Sequence, residues 1–386
     1  MEAYLDYNAT TPLDPRVLEE MRPYLEGRYG NASSFHRKGQ ESRHAVELAR
    51  ERVAARLGVE PGDILFTSGG TEADNLAVRG TVMARLLQRR HLAVSAVEHQ
   101  AVLHTAAHLE KRGCRVSYVP VDSQGIVRLD ELTKAVSEET AVVSLMHANN
   151  ETGAIQPVGE AARIAHAKGA LLHVDAVQSF GKLPVDPEAI GADFVAVSAH
   201  KICGPKGAGA LYIRKGVKLE SLLHGGHQEK NIRPGTENVA GIVGLGKAAE
   251  LLGEPEREEE RTRVLRLRER LEEGIRKAVP DVRLNGPVSG RARNTLNLAF
   301  PGLDGETLLM NLDFKNIYVS TGSACTAGSV EPSHVLLAMG LSEKLARAAI
   351  RFSLGRFTTE EEIEYALREI PPIIERLRKA ATEDKK

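Results

Sequence analysis

Between residues 60 and 215, short apolar runs rich in β-branched residues (63–67, 92–95, 116–119, 141–146, 171–174, 194–197 and 210–213) alternate with stretches of helical character. This alternation restricts the fold more than any other feature. Strands joined through helices pair by crossover, which makes a mostly parallel sheet flanked by helices, an α/β fold. With 386 residues, 42% hydrophobic and 27% charged, the chain can bury the core such a sheet demands and build a smaller domain besides. From 254 to 277 charge dominates, yet Val264, Leu267, Leu271 and Ile275 recur at helical spacing, so a long amphipathic helix leads out of the first domain. Beyond it, 295–300 alternates like a half-buried strand and 360–379 reads as a closing helix, which are the parts of an α+β unit. The expected division is a large domain at 15–255 and a small domain built from 1–14 together with 256–386, ending in a polar tail at 382–386.

Several function classes fall away on charge and cysteine content. The 51 Lys+Arg nearly balance 52 Asp+Glu and are spread along the chain, so no field for DNA or anionic lipid is evident. The start carries an early acid and no apolar h-region, and no apolar run is long enough for a bilayer, which reads as a cytoplasmic protein with no membrane partner. The three cysteines, Cys114, Cys203 and Cys325, lack CxxC spacing and sit in unlike contexts, which argues against a disulfide framework and a zinc cage. No metal is expected.

In open α/β sheets ligands gather beyond the carboxyl ends of the strands, so the polar residues that directly follow the apolar runs are the candidates for chemistry. Glu98-His99-Gln100 follows the second run, His147-Ala-Asn149-Asn150-Glu151 the fourth, Asp175-Ala-Val-Gln178 the fifth and Ser198-Ala-His200-Lys201 the sixth. Taken singly, each is more simply a helix cap or a loop hydrogen bond. Taken together they aim an imidazole, amides, a carboxylate and an amine at one crevice. The stretch TSGGTEADN at 67–75 adds a strand-to-helix turn whose Gly69 and Gly70 allow close backbone approach and whose Thr71 offers a hydroxyl, as an anion site at a helix start requires. An amine, a carboxylate and a phosphate-ready helix start are what pyridoxal phosphate needs.

The motifs YLDYNATTP (4–12), TSGGTEADN, Glu98-His99, HANNETG (147–153), HVDAVQS (173–179), SAHKICGPKG (198–207), RPGTEN (233–238), GSACT (322–326) and IRFSLGRFT (350–358) run in order across nearly the whole chain. In them the chain resembles the cysteine desulfurases of the IscS/NifS group. The resemblance implies a homodimeric pyridoxal-phosphate enzyme of fold type I, with each active site at the dimer interface. It implies Lys201 as the Schiff-base lysine, His99 as the imidazole stacked on the ring, Asp175 as partner of the pyridine nitrogen and Gln178 as the amide near the phenolic oxygen. Gly70, Thr71, Ser198 and His200 form the implied phosphate cup, with Thr236 reaching in from the other subunit, and Asn150 with Arg351 resembles the pair that holds the substrate carboxylate. RPGTEN and the paired glycines of TSGGTEADN are variants closer in places to the nitrogen-fixation type, which leaves the physiological pathway open.

Cys325 selects the reaction within that family. It lies in Ser320-Thr-Gly-Ser-Ala-Cys-Thr-Ala-Gly-Ser329, small and polar residues that pack no core and suit an accessible loop over about 320–332, with Gly322 and Gly328 as hinges. Cys114 and Cys203 read as structural, Cys203 less firmly because it stands two residues from Lys201. The expected activity is conversion of L-cysteine to L-alanine, with Lys201 working at the Cα proton, His99 at the substrate thiol, and Cys325 taking the sulfur as a persulfide, and the resemblance implies an iron–sulfur scaffold protein or a tRNA-thiolation carrier as its acceptor. An aminotransferase or selenocysteine lyase shares the same frame, and an idle sulfur-transfer scaffold is the reading from outside enzymology. His104 with His108, and His224 with His227, have chelating spacing but read as a solvated helix face and a loop, and Gly244-Leu-Gly246 reads as close helix packing rather than a dinucleotide fingerprint.

Overall fold

The computed structural model describes residues 1–321 and 331–383. Its strands are β1 (Ala3–Tyr4), β2 (Ile64–Thr67), β3 (His91–Ser95), β4 (Arg115–Val119), β5 (Thr140–Ser144), β6 (Leu171–Asp175), β7 (Phe194–Ser198), β8 (Gly209–Ile213), β9 (Arg283–Leu284), β10 (Thr295–Ala299), β11 (Ile317–Tyr318) and β12 (Ala349–Ser353). Its helices are α1 (Pro15–Glu26), α2 (Arg37–Leu57), α3 (Gly70–Arg85), α4 (Gln100–Glu110), α5 (Leu129–Ala135), α6 (Val158–Ala167), α7 (Pro187–Ile190), α8 (Val239–Leu251), α9 (Glu256–Ala278), α10 (Gly305–Asp313), α11 (His334–Ala338), α12 (Glu343–Arg347) and α13 (Glu360–Glu383).

All seven apolar runs form strands of one sheet, in the order β2-β8-β7-β6-β5-β3-β4. The pairs from β7 through β4 are parallel, and only β8 runs against its neighbours. Strands β5, β6 and β7 are buried along their whole length, which is why they read as continuous apolar runs rather than alternating ones. The main core lies between this sheet and helices α1, α2, α6 and α8, with Val53, Phe66, Val174, Val197 and Leu245 at or near zero exposure.

Gly246 shows how tightly the outer helices meet. A Cβ there would fall 2.6 Å from Ala49 Cα on α2, so the glycines of α8 serve close helix packing, as the sequence predicts. A second core joins Leu5 of the N-terminal segment to Leu271 and Ile275 of α9, Leu298 of β10, Phe352 of β12 and Ile370 of α13. It covers the antiparallel sheet β12-β10-β9, and the parallel β1–β11 pair ties the N-terminus onto it. Helix α9 begins at Glu256 and carries Val264, Leu267, Leu271 and Ile275 on its buried side, as their spacing requires. Among the described residues no helix is long and apolar enough to cross a membrane.

Candidate active site

The carboxyl ends of β3, β5, β6 and β7 open on one crevice of about 610 Å³, lined by Gly70, Thr71, Asp74, His99, Met146, Asn150, Asp175, Val177, Gln178, Ser198, His200 and Lys201. Gly70, Thr71, His99, Asn150, Asp175, Gln178, Ser198, His200 and Lys201 therefore meet there, because parallel strands deliver the residues that follow them to the same edge, whereas Glu98, Gln100, His147, Asn149 and Glu151 do not line it. Arg351 reaches this group from β12, its Nη1 donating to the Asn150 carbonyl at 3.1 Å and its Nη2 to Asp6 Oδ1 at 2.7 Å, while its buried Nε has no hydrogen-bond partner among the described residues. Thr236 does not line the crevice of its own chain; it is exposed, in the loop whose Arg233 pairs with Glu72 of α3 at 2.8 Å. Cys325, Gly322 and Gly328 lie outside the described residues.

The charge states follow from burial. Lys201 Nζ donates to the carbonyls of Asn8 at 2.5 Å and Ala9 at 2.7 Å; desolvation, and next the cation of Arg351, bring its pKa down to about 8. His99 caps α4, its Nδ1 accepting from Ala101 N–H at 3.1 Å, and burial pushes its pKa down, so the ring is neutral at neutral pH with its proton on Nε2, a donor. Asp175 ends β6 and accepts from Val177 N–H at 2.9 Å; burial raises it, against the pull of His99 and Lys201. A cation brought against that carboxyl restores its ionised form.

Beneath Asp175 lies a buried set that sequence reasoning missed. Asp74 Oδ1 stands 3.3 Å from His173 Nε2, His173 Nδ1 is 2.8 Å from Ser144 Oγ, and Ser144 Oγ is 3.4 Å from Glu98 Oε2, whose partner oxygen accepts from Met146 N–H at 2.7 Å. Burial forces Asp74 well above the usual carboxylate range, lifts Glu98 to about 8 and drops His173 to about 3. Because the folded state holds Glu98 protonated where the unfolded chain has released the proton, stability falls as pH rises from the unfolded value near 4.5 toward 8. Glu98→Gln keeps the hydrogen bonds and removes that penalty. Its melting temperature is expected to match the parent at pH 4 and exceed it at pH 8, by the equivalent of a few kcal/mol at most, since each tenfold change in proton affinity is worth about 1.4 kcal/mol. An equal difference at both pH values would refute the protonated assignment.

The crevice fits pyridoxal phosphate on its donor set. Helix α3 starts at Gly70 with Gly69 as a cap that makes no side-chain hydrogen bond, so its first-turn N–H groups remain for an anion beside Thr71, Ser198 and His200. The glycine at 70 leaves no slack: a Cβ there would stand 2.7 Å from Val177 Cγ2, filling the cradle. His200 Nδ1 is bound to Thr10 Oγ1 at 3.1 Å, which leaves Nε2 as its open nitrogen. Amine, carboxylate, imidazole and helix start in one crevice are the donor set of a pyridoxal-phosphate enzyme of fold type I. The family model described as Aminotransferase class-V matches residues 3–366, and the chain belongs to that family, in its IscS/NifS cysteine desulfurase group.

Relatives of that group extend over nearly the full length. The cysteine desulfurase IscS of Dictyoglomus turgidum is 48% identical over 377 residues, covering 98% of this chain and 95% of the relative. IscS of Methanosarcina thermophila is 48% identical over 375 residues, covering 97% and 92%. A solved structure titled NifS-like protein superposes with a TM-score of 0.92 at 43% identity, covering 98% of this chain and all of that one.

The set-aside signals have structural settings of their own. His104 and His108 are exposed on α4, and His227 is bound to Asn231 Oδ1 at 2.6 Å in an exposed loop. Among the described residues no group of three or more His, Cys, Asp or Glu is placed to hold a metal ion. Cys114 and Cys203 are buried. Cys203, at φ 62°, turns the chain just after Lys201, with its N–H on Thr11 Oγ1 at 2.9 Å.

Proposed function

We propose that this enzyme works as a cysteine desulfurase through Lys201, His99 and Cys325, converting L-cysteine and the Cys325 thiol into L-alanine and a Cys325 persulfide. The observation that carries the reading is the meeting of Lys201, Asp175, His99 and the α3 start in one crevice, with Arg351 at its rim. Pyridoxal phosphate, when bound, supplies the electron sink for the substrate carbanion, and Thr71, Ser198, His200, Asp175 and Gln178 would hold it. Lys201, with its pKa lowered to about 8, has enough free amine near neutral pH to take the Cα proton. His99, neutral through burial, works at the substrate thiol; with Nδ1 capping Ala101 N–H its own proton sits on Nε2, so it takes the thiol proton as that capping bond gives way. The Cys325 thiolate forms the new S–S bond as the substrate C–S bond breaks; the pair left on carbon takes up a proton, and alanine departs.

Arg351 suits the substrate carboxylate because its buried Nε–H is unspent among the described residues. Asp6 holds the other end of the guanidinium and keeps the fork in place. Arg351→Lys loses the planar fork and is expected to raise KM for cysteine about 10- to 100-fold with the cofactor spectrum unchanged; an unaltered KM would move the carboxylate elsewhere.

A division into 15–255 and 1–14 plus 256–386 is supported by the main core, whose residues lie between 17 and 252, and by the second core, which joins Ala3 and Leu5 to α9 and the residues after it. We place the protein in the cytoplasm as a homodimer with Thr236 completing the partner's phosphate cup, an arrangement supported by the exposure of the RPGTEN loop. The persulfide sulfur would go to an iron–sulfur scaffold protein or a tRNA-thiolation carrier, since a bound persulfide serves a cell only when handed on. The test is to incubate the pyridoxal-phosphate-loaded protein with L-cysteine and dithiothreitol and quantify alanine and sulfide together. Equal amounts support desulfuration, whereas a pyridoxamine form accumulating with an amino donor, with neither alanine nor sulfide released, points to a transaminase.

A further inference from the structure

Lys182 lies outside the crevice. It lines a second cavity, between the two cores, that Lys201 also borders, together with Cys203, Arg257 and Asn294. Its ammonium donates to two amide oxygens, Gln178 Oε1 at 2.8 Å and Asn8 Oδ1 at 3.3 Å. Both amides are thereby oriented. Gln178 Nε2 donates one N–H to the Asn8 carbonyl at 2.8 Å, and Gln178 itself lines the crevice, so a second N–H of the same nitrogen is left for an acceptor there. Reversing the Gln178 amide would set its NH2 against an ammonium and its oxygen against the Asn8 carbonyl, so donors would face donors and acceptors would face acceptors.

Asn8 is held just as firmly. It is buried at 2% exposure; its Nδ2 donates to the Asn150 carbonyl and Thr295 Oγ1, its Oδ1 also accepts from Asn294, and its backbone N–H donates to Ser353 Oγ. One residue thus ties β12, β10, the Asn150 turn, Gln178, Lys182 and Lys201 into a single polar network. Removing one donor from such a network loosens the groups it holds more than it weakens the core around them.

We propose that Lys182 is a positioning residue for the cofactor. By holding Gln178 Oε1 it keeps the Gln178 N–H directed as a donor toward the phenolic oxygen, without touching cofactor or substrate itself. Burial, and then the charges of Lys201 and Arg351, bring the Lys182 pKa down to about 7, and the amine retains N–H donors in both charge states. The proposal rests on the placement of Gln178 beside the phenolic oxygen, and its test separates the two.

A donor on the phenolic oxygen favours the anionic form of that oxygen, so it lowers the pH at which the visible band of the Lys201-bound cofactor titrates. In the loaded enzyme Gln178→Leu is expected to raise that midpoint by about one pH unit, and Lys182→Met by about half as much, because Asn8 still orients the amide in part. Lys182→Arg, which still donates to both oxygens, should return most of the shift. Lys182→Met added to Gln178→Leu should move the midpoint no further. A midpoint unmoved by Gln178→Leu would overturn the placement of Gln178. A midpoint moved by Gln178→Leu but not by Lys182→Met, or one moved additively in the double variant, would overturn the role of Lys182.

Discussion

Lys201→Ala is expected to abolish both the visible absorbance of bound pyridoxal phosphate and the turnover of cysteine. The two losses have one cause. In the proposed reading the amine that would bind the cofactor covalently also serves as the base for the Cα proton, and losing a positioned base costs roughly a hundred- to ten-thousandfold by itself. Phosphate binding should survive in part, because the α3 start, Thr71 and Ser198 do not depend on the amine. Fluorescence titration with free pyridoxal phosphate should therefore show weakened but measurable binding to the variant. Fold is controlled by the melting curve: the Lys201 amine is satisfied by Asn8 and Ala9 carbonyls, and Asn8 remains tied to Lys182 and Gln178 without it, so the transition should stay cooperative. A Lys201→Ala protein that keeps the visible band would remove the lysine from the mechanism.

Cys325→Ser is the complementary case, in which the cofactor remains and the product disappears. A serine hydroxyl is far less acidic than a thiol and forms no persulfide, so alanine and sulfide should fall together by about a thousandfold or more while the visible band is unchanged. This separates the desulfurase from its rivals within the fold, because a transaminase has no use for the thiol. Unchanged release of both would return the assignment to a lyase.

Much of the fold was legible because burial on both faces of the sheet writes strands as unbroken apolar runs. The runs at 141–146, 171–174 and 194–197 became β5, β6 and β7, and α9 followed from four apolar residues on one stripe. His99, Asp175, Ser198 and Lys201 were legible for a related reason: each ends a strand or closely follows one, and parallel strands end at one edge. The supporting groups were not. Asp6 meets Arg351 across 345 residues and Lys182 meets Asn8 across 174, and neither has a local pattern that announces a partner. Asp74, Glu98 and His173 stood inside readable motifs, yet nothing in those motifs shows that strand packing would bury the three together and shift their pKa values.

By itself, then, the sequence determined the parallel sheet, the family and which residues meet in the crevice, since these depend on local periodicity and on residues at fixed offsets from strand ends. Tertiary structure alone decided the charge state of Lys201 and His99, the orientation of Gln178 and the anchoring of Arg351. Desolvation and hydrogen-bond geometry depend on which distant segments close over a group, and here that closure is made largely by the N-terminal Asp6–Thr11 stretch packed between the two cores.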